Sequence, residues 1–472
     1  MVSSFTYQPR IYDDTLDNWV DTNIKMHEKR FFHRLVPIGQ NKVLFIGGAA
    51  WDGHLDSIEE LDFSQDTKSW KIDADDYSAD EKQSSWGGFR GEGNSKSQTR
   101  HIPLRWSDKR NLLWRRNISG YGQSTPVIFG ERVFTTSTSG KKSEELIVRC
   151  HKVSNGKLLW EKNFPSPNEI ERSQYVSQAA PSPVVDSSKV YVFFESGKMI
   201  ALSHLGEVEW ERNLTEEYGP LEGNHGVGSS LFQNKESVGL LIDHAGPSYL
   251  LRISKSNGRN DWKTDRPERV SWSTPTLSES SDGKQILYVS SDGVVEAYDF
   301  SNGNKLWSYD GVEGNTVASP TLSEDLVIIG SSKDGHCLAL KRGNLDSNAE
   351  RLVWVAEDAT CSFSSPLATD RHIYLVNRAG VATCHELDTG KKLWNLRLPG
   401  SCWASAIQGA GRIYFFTKDG STIVLENNGE KDLLAENKLS IADRVYGVAV
   451  TDRGFIKRTG KELICVGSPI TK

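Results

Sequence analysis

The sequence predicts an all-β protein: an eight-bladed β-propeller of four-stranded antiparallel blades, closed by an N-terminal strand that pairs with the C-terminal blade. Three observations carry this expectation. A tight turn followed by a tryptophan recurs along the chain, as NLLWRRN at Trp114, GKLLWEKN at Trp160, GEVEWERN at Trp210, GRNDWKTD at Trp262, NKLWSYD at Trp307, RLVWVAED at Trp354 and KKLWNLRL at Trp394. The intervals of 40 to 52 residues suit blades of four short strands. In phase with the tryptophans comes a small-residue-plus-proline segment: QSTPVI, APSPVV, WSTPTL, VASPTL and FSSPLA. Helical periodicity is almost absent, while β-rich runs such as KVYVFFES and RIYFFTKD alternate with glycine turns.

Within each unit the order is constant. The proline segment opens the first strand, a β-rich run gives the second, and a glycine turn leads to the third. A Gly-Lys hairpin such as NGKLLW (155 to 160) or TGKKLW (389 to 394) then leads into the tryptophan strand. Asn-Gly supplies the positive φ angles of a tight turn, and the indole on the outermost strand is expected to wedge against the neighbouring blade. Seven units begin near residues 121, 179, 226, 270, 316, 361 and 402, the seventh carrying Leu433 and Leu434 in place of tryptophan. A last segment, RVYGVAVTDRGFIKRTGKELICVG, supplies three strands, and RNLLWRRN is a fourth strand without a blade. Pairing the two closes the ring and removes the open edges.

Composition excludes several classes. A net charge of -6 leaves no electrostatic footprint for nucleic acid or an anionic membrane. No run approaches the roughly 20 apolar residues of a membrane helix, so no transmembrane segment is expected. The first residues, MVSSFTYQPRIYDD, contain no apolar signal core. The six cysteines show no CxxC or metal-ligand spacing, and no metal site is expected. Cys150, Cys337, Cys384 and Cys465 lie in apolar runs. Cys361 and Cys402 precede equivalent strands of adjacent repeats, which leaves a disulfide between them open.

Two domains are expected, 1–85 and 86–472. At this point the residues carry a resemblance. The pattern SP, YVSSDG and AYDFSNGNKLW resembles the pyrroloquinoline-quinone-like (PQQ-like) propeller repeat of quinoprotein alcohol dehydrogenases and the outer-membrane assembly lipoprotein BamB. WGGFRGEGNSKS (86 to 97) resembles the lead-in of secreted BamB-like proteins. The resemblance implies a periplasmic or extracellular protein if a signal peptide has been removed, and otherwise a cytoplasmic one. Residues 33–70 resemble a single kelch motif, with Gly47-Gly48, Leu61-Asp62 and Trp70 in kelch order. That segment reads as an accessory β-module, with a ninth sheet at one edge as the other reading. DADDYSADEKQSS (73 to 85) reads as a linker.

Standard catalytic signatures are missing: no phosphate loop, HExxH, GxSxG elbow or dinucleotide fingerprint occurs. Propeller geometry narrows the search, because residues just before each first strand line one mouth of the central channel. That ring holds Tyr121, Gln123, Tyr175, Gln178, Asn224, His225, Arg269, Trp272, Asn315, Phe363, Trp403, Arg444 and Tyr446. Of these, Tyr121, Asn224, His225, Arg269, Trp272, Asn315, Trp403, Arg444 and Tyr446 are the candidate ligand-binding set. Aromatic platforms beside amide and guanidinium donors suit a sugar or an anionic organic ligand, whereas a merely wet channel mouth is the bland alternative. Trp272 and Trp403 stand off the outer-strand register, and His225 is flanked by glycines that leave room for a ligand.

Three functions remain open. The first is a non-catalytic scaffold with a protein or carbohydrate ligand at the propeller face and no cofactor. The second, implied by the quinoprotein resemblance, is a dehydrogenase using PQQ with calcium. It would stack the quinone on Trp272 or Trp403 and take oxygen ligands from Asn224 or Asn315, but no set of channel-facing carboxylates accompanies them. The third is a polysaccharide lyase or hydrolase, with His225 or Tyr446 as base and Arg269 or Arg444 neutralising a uronate.

Overall fold

The computed structural model describes eight short strands within residues 1–85 and, from Trp86 to Ser468, all residues except 171–177, 280–282, 344 and 346. The chain divides into two compact units, Met1–Lys82 and Gln83–Lys472. No helix among the described residues is long and apolar enough to cross a membrane.

In the N-terminal unit, Val2–Ser3, Arg10–Asp13 and Asn18–Asp21 form one antiparallel sheet. Arg34–Gly39, Lys42–Ile46 and Ile58–Asp62 form another. This second sheet spans the kelch-like segment with three strands, in register from Lys42↔Asp62 to Ile46↔Ile58. Gly47, Gly48, Trp70 and the acidic stretch 73–85 lie outside the described residues.

The larger unit is the eight-bladed propeller. Blade 1 runs outward through Val127–Phe129, Arg132–Ser139, Glu145–Lys152 and Leu158–Pro165. Blades 2 to 7 repeat that order over 184–213, 232–266, 276–312, 321–355, 367–397 and 407–438. Blade 8 takes Val445–Val450, Gly454–Thr459 and Glu462–Gly467 from the C-terminal end, and Leu112–Asn117 completes it, with Cys465 opposite Trp114. Strands alternate faces, so each blade offers two apolar surfaces, and the cores lie between blades. Tyr191, Phe193 and Ala201 of blade 2, for example, share one cluster with Val238, Leu240 and Leu251 of blade 3.

The recurrent tryptophans are the inter-blade wedges. In seven blades the indole sits opposite the same third-strand position, as Trp160↔Cys150, Trp210↔Ala201 and Trp394↔Cys384. Six indole N–H groups then donate to a carbonyl in the outer hairpin of the next blade, from Trp114 to Val153 at 2.7 Å through Trp394 to Gly429 at 2.8 Å. The hairpin glycine makes this approach feasible. Gly258 holds φ at +72°, and a Cβ there would meet Trp210 Cδ2 at 2.6 Å. Gly156 plays the same part in NGKLLW, but Asn155 does not share its positive φ. The Asn155 side chain instead accepts the Lys157 N–H at 2.9 Å. Trp307 differs: it stacks under the guanidinium of Arg351, 4.0 Å from the ring centroid.

Blade 7 lacks the tryptophan for a topological reason. Its register places Ala435, rather than Leu433 or Leu434, at the tryptophan position, opposite Val424. The next blade has no outer hairpin, because its outermost strand is the N-terminal Leu112–Asn117, so an indole on blade 7 would have no turn to dock on. Trp106 from the lead-in fills the space. It packs on Tyr414 with centroids 6.3 Å apart and shares a cluster with Ala435, while its backbone N–H donates to Asn437 Oδ1 at 2.8 Å.

All six cysteines are free and buried. Cys361 belongs to the cluster between blades 5 and 6 and Cys402 to that between blades 6 and 7, so they lie in separate cores and do not pair.

Candidate functional site

The serine or threonine that leads into the first strand of seven blades, before a proline in five of them, does more than punctuate the repeat. The backbone N–H of Thr125 donates to Ser182 Oγ, Ser182 to Ser230, Ser230 to Thr274, Thr274 to Ser319, Ser319 to Ser365 and Ser365 to Ser405, all at 2.9–3.0 Å. These bonds ring the channel wall and tie seven consecutive blades. The next position in the circle is Gly447, where an added Cβ would lie 2.6 Å from Thr125 Cα. Hydroxyls small enough to sit at the crowded axis satisfy buried N–H groups there.

The lead-in closes the channel from inside. Trp86 exchanges two backbone hydrogen bonds with Ile128 of blade 1, and the Gly87 carbonyl accepts from Val185 N of blade 2 and Gln233 Nε2 of blade 3. Gly93 lies against Thr276 of blade 4. The Arg90 guanidinium reaches Pro320 O and Thr321 Oγ1 of blade 5, and Pro366 O of blade 6, at 2.8–3.3 Å. Ser95 and Ser97 pair with Gln408 of blade 7, and Thr99 Oγ1 donates to Asp452 O of blade 8. One short segment thus touches the innermost strand or its following turn in every blade. Arg90 is 3% exposed, and burial lowers its guanidinium to about 10, which still leaves it a cation at neutral pH. Between this plug and Trp403 and Tyr446 remains a cavity of about 20 Å³, space for a single water.

Above the plug, blades 6, 7, 8 and 1 contribute an aromatic cluster. Phe363 and Trp403 stack with centroids 4.6 Å apart and planes 13° from parallel. Tyr446 meets Trp403 edge-on at 5.5 Å, and its hydroxyl lies 2.7 Å from that of Tyr121. Arg444 lies over Trp403 at 5.2 Å from the ring centroid, and Arg378 over Phe363 at 5.9 Å. Burial, followed by the Tyr446 hydroxyl and Asp443, holds the Tyr121 phenol far above its ordinary value, so it stays neutral.

The structure gathers Tyr121, Trp403, Arg444 and Tyr446 into this cluster and separates the other candidates from it. His225 and Trp272 form a second pair, with centroids 5.9 Å apart, on the loops entering blades 3 and 4. Trp272 is anchored there by its indole N–H on Gly226 O at 2.9 Å. Gly228 leaves room for that indole, since a Cβ would meet Trp272 Cδ1 at 2.8 Å; the space is filled by the protein's own side chain. Arg269 Nη1 donates to Asp292 O at 3.3 Å. Asn224 faces a separate groove of about 570 Å³ shared with Ser196, Thr215 and Gly226. Asn315 is fully buried and its amide is spent: Oδ1 accepts Gly293 N–H, and Nδ2 donates to Ser290 Oγ and Val294 O. It braces the wall and offers nothing to a ligand. Gln123 and Gln178 bond each other's backbone, and Tyr175 lies outside the described residues.

Arg90 and Arg378 escaped the sequence reading. Arg90 had a signal in its glycine-rich setting, GGFRGEG, where only a closely packed backbone needs so many glycines. Arg378 sits on the turn after the second strand of blade 6, and nothing in its own stretch marks it.

The fold and this closed channel define a propeller of the PQQ-like class. A family model described as outer membrane protein assembly factor BamB matches residues 104–227 and 238–351, half of the chain, and the chain belongs to that family. It is 22% identical over 273 residues to the outer membrane protein assembly factor BamB of Shewanella oneidensis, spanning 57% of this chain and 62% of that relative's length. Among solved structures, BamB from Moraxella catarrhalis superposes with a TM-score of 0.52 at 14% identity, covering 75% of this chain and 98% of that one. A europium-containing methanol dehydrogenase gives 0.60 at 11% identity, over 83% of this chain and 90% of that one. The quinohemoprotein alcohol dehydrogenase of Comamonas testosteroni gives 0.58 at 12%, over 85% and 83%. At these identities the structural likenesses speak for the fold alone.

Proposed function

We propose that this propeller is a non-catalytic scaffold that docks a protein partner on its aromatic mouth. The observation that carries the reading is the Phe363–Trp403 stack, flanked by two arginines and standing over a channel already filled by its own lead-in. A filled channel favours a contact surface over a reaction chamber, and tryptophan, tyrosine and arginine are the residues that dominate protein interfaces. The relatives' name, assembly factor, agrees with protein partners.

The other readings find less support. A quinone with calcium does not suit these residues. The space beneath the mouth is water-sized, Asn315 has no free oxygen, and no group of three or more His, Cys, Asp or Glu among the described residues could hold a metal ion. For an acid–base mechanism, Tyr446 does stand beside Arg444 at Trp403, but its hydroxyl is already engaged with that of Tyr121 at 2.7 Å, and His225 and Arg269 lie apart on the loops entering blades 3 and 4. Sugar stacking needs an open ring face, and Trp403 has Phe363 and Arg444 against it.

The test compares wild type with Trp403→Ala in affinity capture from source-cell lysate, quantified by mass spectrometry. At least one protein should be depleted about ten-fold or more in the variant, since a hot-spot side chain is worth about 2 kcal/mol or more. Identical protein sets from two equally folded baits would overturn the proposal.

A further inference from the structure

We infer that Arg378 and Arg444 form a carboxylate-reading pair, and that the partner presents an acidic segment whose apolar side chains pack against the partly exposed edges of the Phe363–Trp403 stack. The inference rests on the mouth being the docking face and adds the chemistry of what docks there. Both arginines are exposed, and neither makes a hydrogen bond or ion pair with any described residue. General basicity does not account for them, because the chain carries a net charge of -6.

Their placement is what makes them selective. A guanidinium lying over an aromatic ring keeps its in-plane N–H edge free, the geometry that receives a carboxylate in bidentate fashion. The ring beneath also limits how the side chain can move, so less entropy is lost on binding. Two acids on the loops leading into this mouth are directed elsewhere. Asp419 pairs with Lys438 at 2.9 Å, and Asp443 turns Oδ2 inward, beside Tyr121 and the backbone of Gly460. Two cations thus flank an apolar stack with no counter-charge of their own, a pattern complementary to acidic residues spaced around an aromatic or aliphatic one.

The probes are two fluorescein-labelled peptides titrated by anisotropy against the full chain, one alternating glutamate with tryptophan and the other glutamine with tryptophan. The glutamate peptide should bind wild type at least about ten-fold more tightly, since only its carboxylates can form charge-assisted hydrogen bonds with the two guanidinium groups. The advantage should disappear in the Arg378→Gln/Arg444→Gln double variant, and it should shrink as salt is raised. Equal binding of the two peptides, absence of binding by the glutamate peptide, or an undiminished preference in the double variant would overturn the inference. Trp403→Ala separates the two levels. If both peptides bind equally and both are lost in that variant, the carboxylate reading fails and the docking face stands. If glutamate-peptide binding ignores Trp403→Ala, the docking face itself fails.

Discussion

Replacing Arg266 by methionine is expected to destabilise the propeller by about 3–5 kcal/mol, the loss typical of breaking a buried ion pair from one side. Arg266 closes the outermost strand of blade 3, and its guanidinium grips Asp243 of the same blade through Nε and Nη2 at 3.0 and 3.1 Å. Nη1 reaches across to Glu296 of blade 4 at 2.5 Å and to the Tyr298 hydroxyl at 2.6 Å. All three charged side chains are about 1% exposed or less. Methionine keeps much of the volume, leaves the buried Asp243 without its cation and leaves Glu296 with Lys305 alone. Equilibrium urea unfolding measures the loss.

The pH response should weaken with the same substitution. Burial alone would raise Glu296, but Arg266, Tyr298 and Lys305 together hold it below the ordinary carboxylate value of 4.5. A lowered folded pKa stabilises the fold above the unfolded value, and that stability is lost as pH falls through the folded one. Wild type therefore loses this contribution below about pH 4.5. Without Arg266 the carboxyl keeps only Tyr298 and Lys305 against burial and so titrates higher than in wild type, and the gap from wild type narrows on acidification. A gap that stays constant from pH 7 to pH 4 would contradict this account.

Arg90→Ala carries the second large effect. It removes a buried cation with four hydrogen bonds, leaving the Thr276 hydroxyl on Pro320 O and the Thr321 hydroxyl on Pro366 O as the remaining donors. A hydrogen bond from a charged donor is worth about 1.5–3 kcal/mol, so the loss of four gives an expected total of several kcal/mol. The loss should be local as well as global, because Arg90 supplies the side-chain bonds that tie the segment to the inner ends of blades 5 and 6. Hydrogen exchange should quicken at Trp86, Ser95 and Ser97, whose N–H groups bond innermost strands or the plug itself. Unchanged protection there, with unchanged stability, would show that the plug holds without its arginine.

The architecture was legible because propeller packing repeats. Each blade needs a turn glycine, an indole to press on the next turn and a hydroxyl at the axis, so those residues recur at one spacing. Where the packing problem differs, the pattern fails. Blade 7 carries Ala435 because blade 8 offers no hairpin, and the replacing indole, Trp106, comes from more than three hundred residues away. The plug was not legible as such. It is a single segment that meets each blade once, so it has no period to detect. The mouth was half legible: residues preceding each first strand do line it, but that rule admits Asn315, which turns into the wall, and omits Arg378, which arrives from another turn. Side-chain direction, set by local hydrogen bonding, is what sequence position alone does not contain.

Photo-crosslinking from the mouth tests the central claim most directly. Benzoylphenylalanine at Phe363 replaces one aromatic ring by another within the stack, and the same group at Glu131, on the turn after the innermost strand of blade 1, samples the opposite end of the channel. Adducts with a discrete protein partner are expected from position 363 and not from 131, and they should weaken when Trp403→Ala is added. Equal adducts from both positions, or adducts from 131 alone, would contradict a docking face at the aromatic mouth.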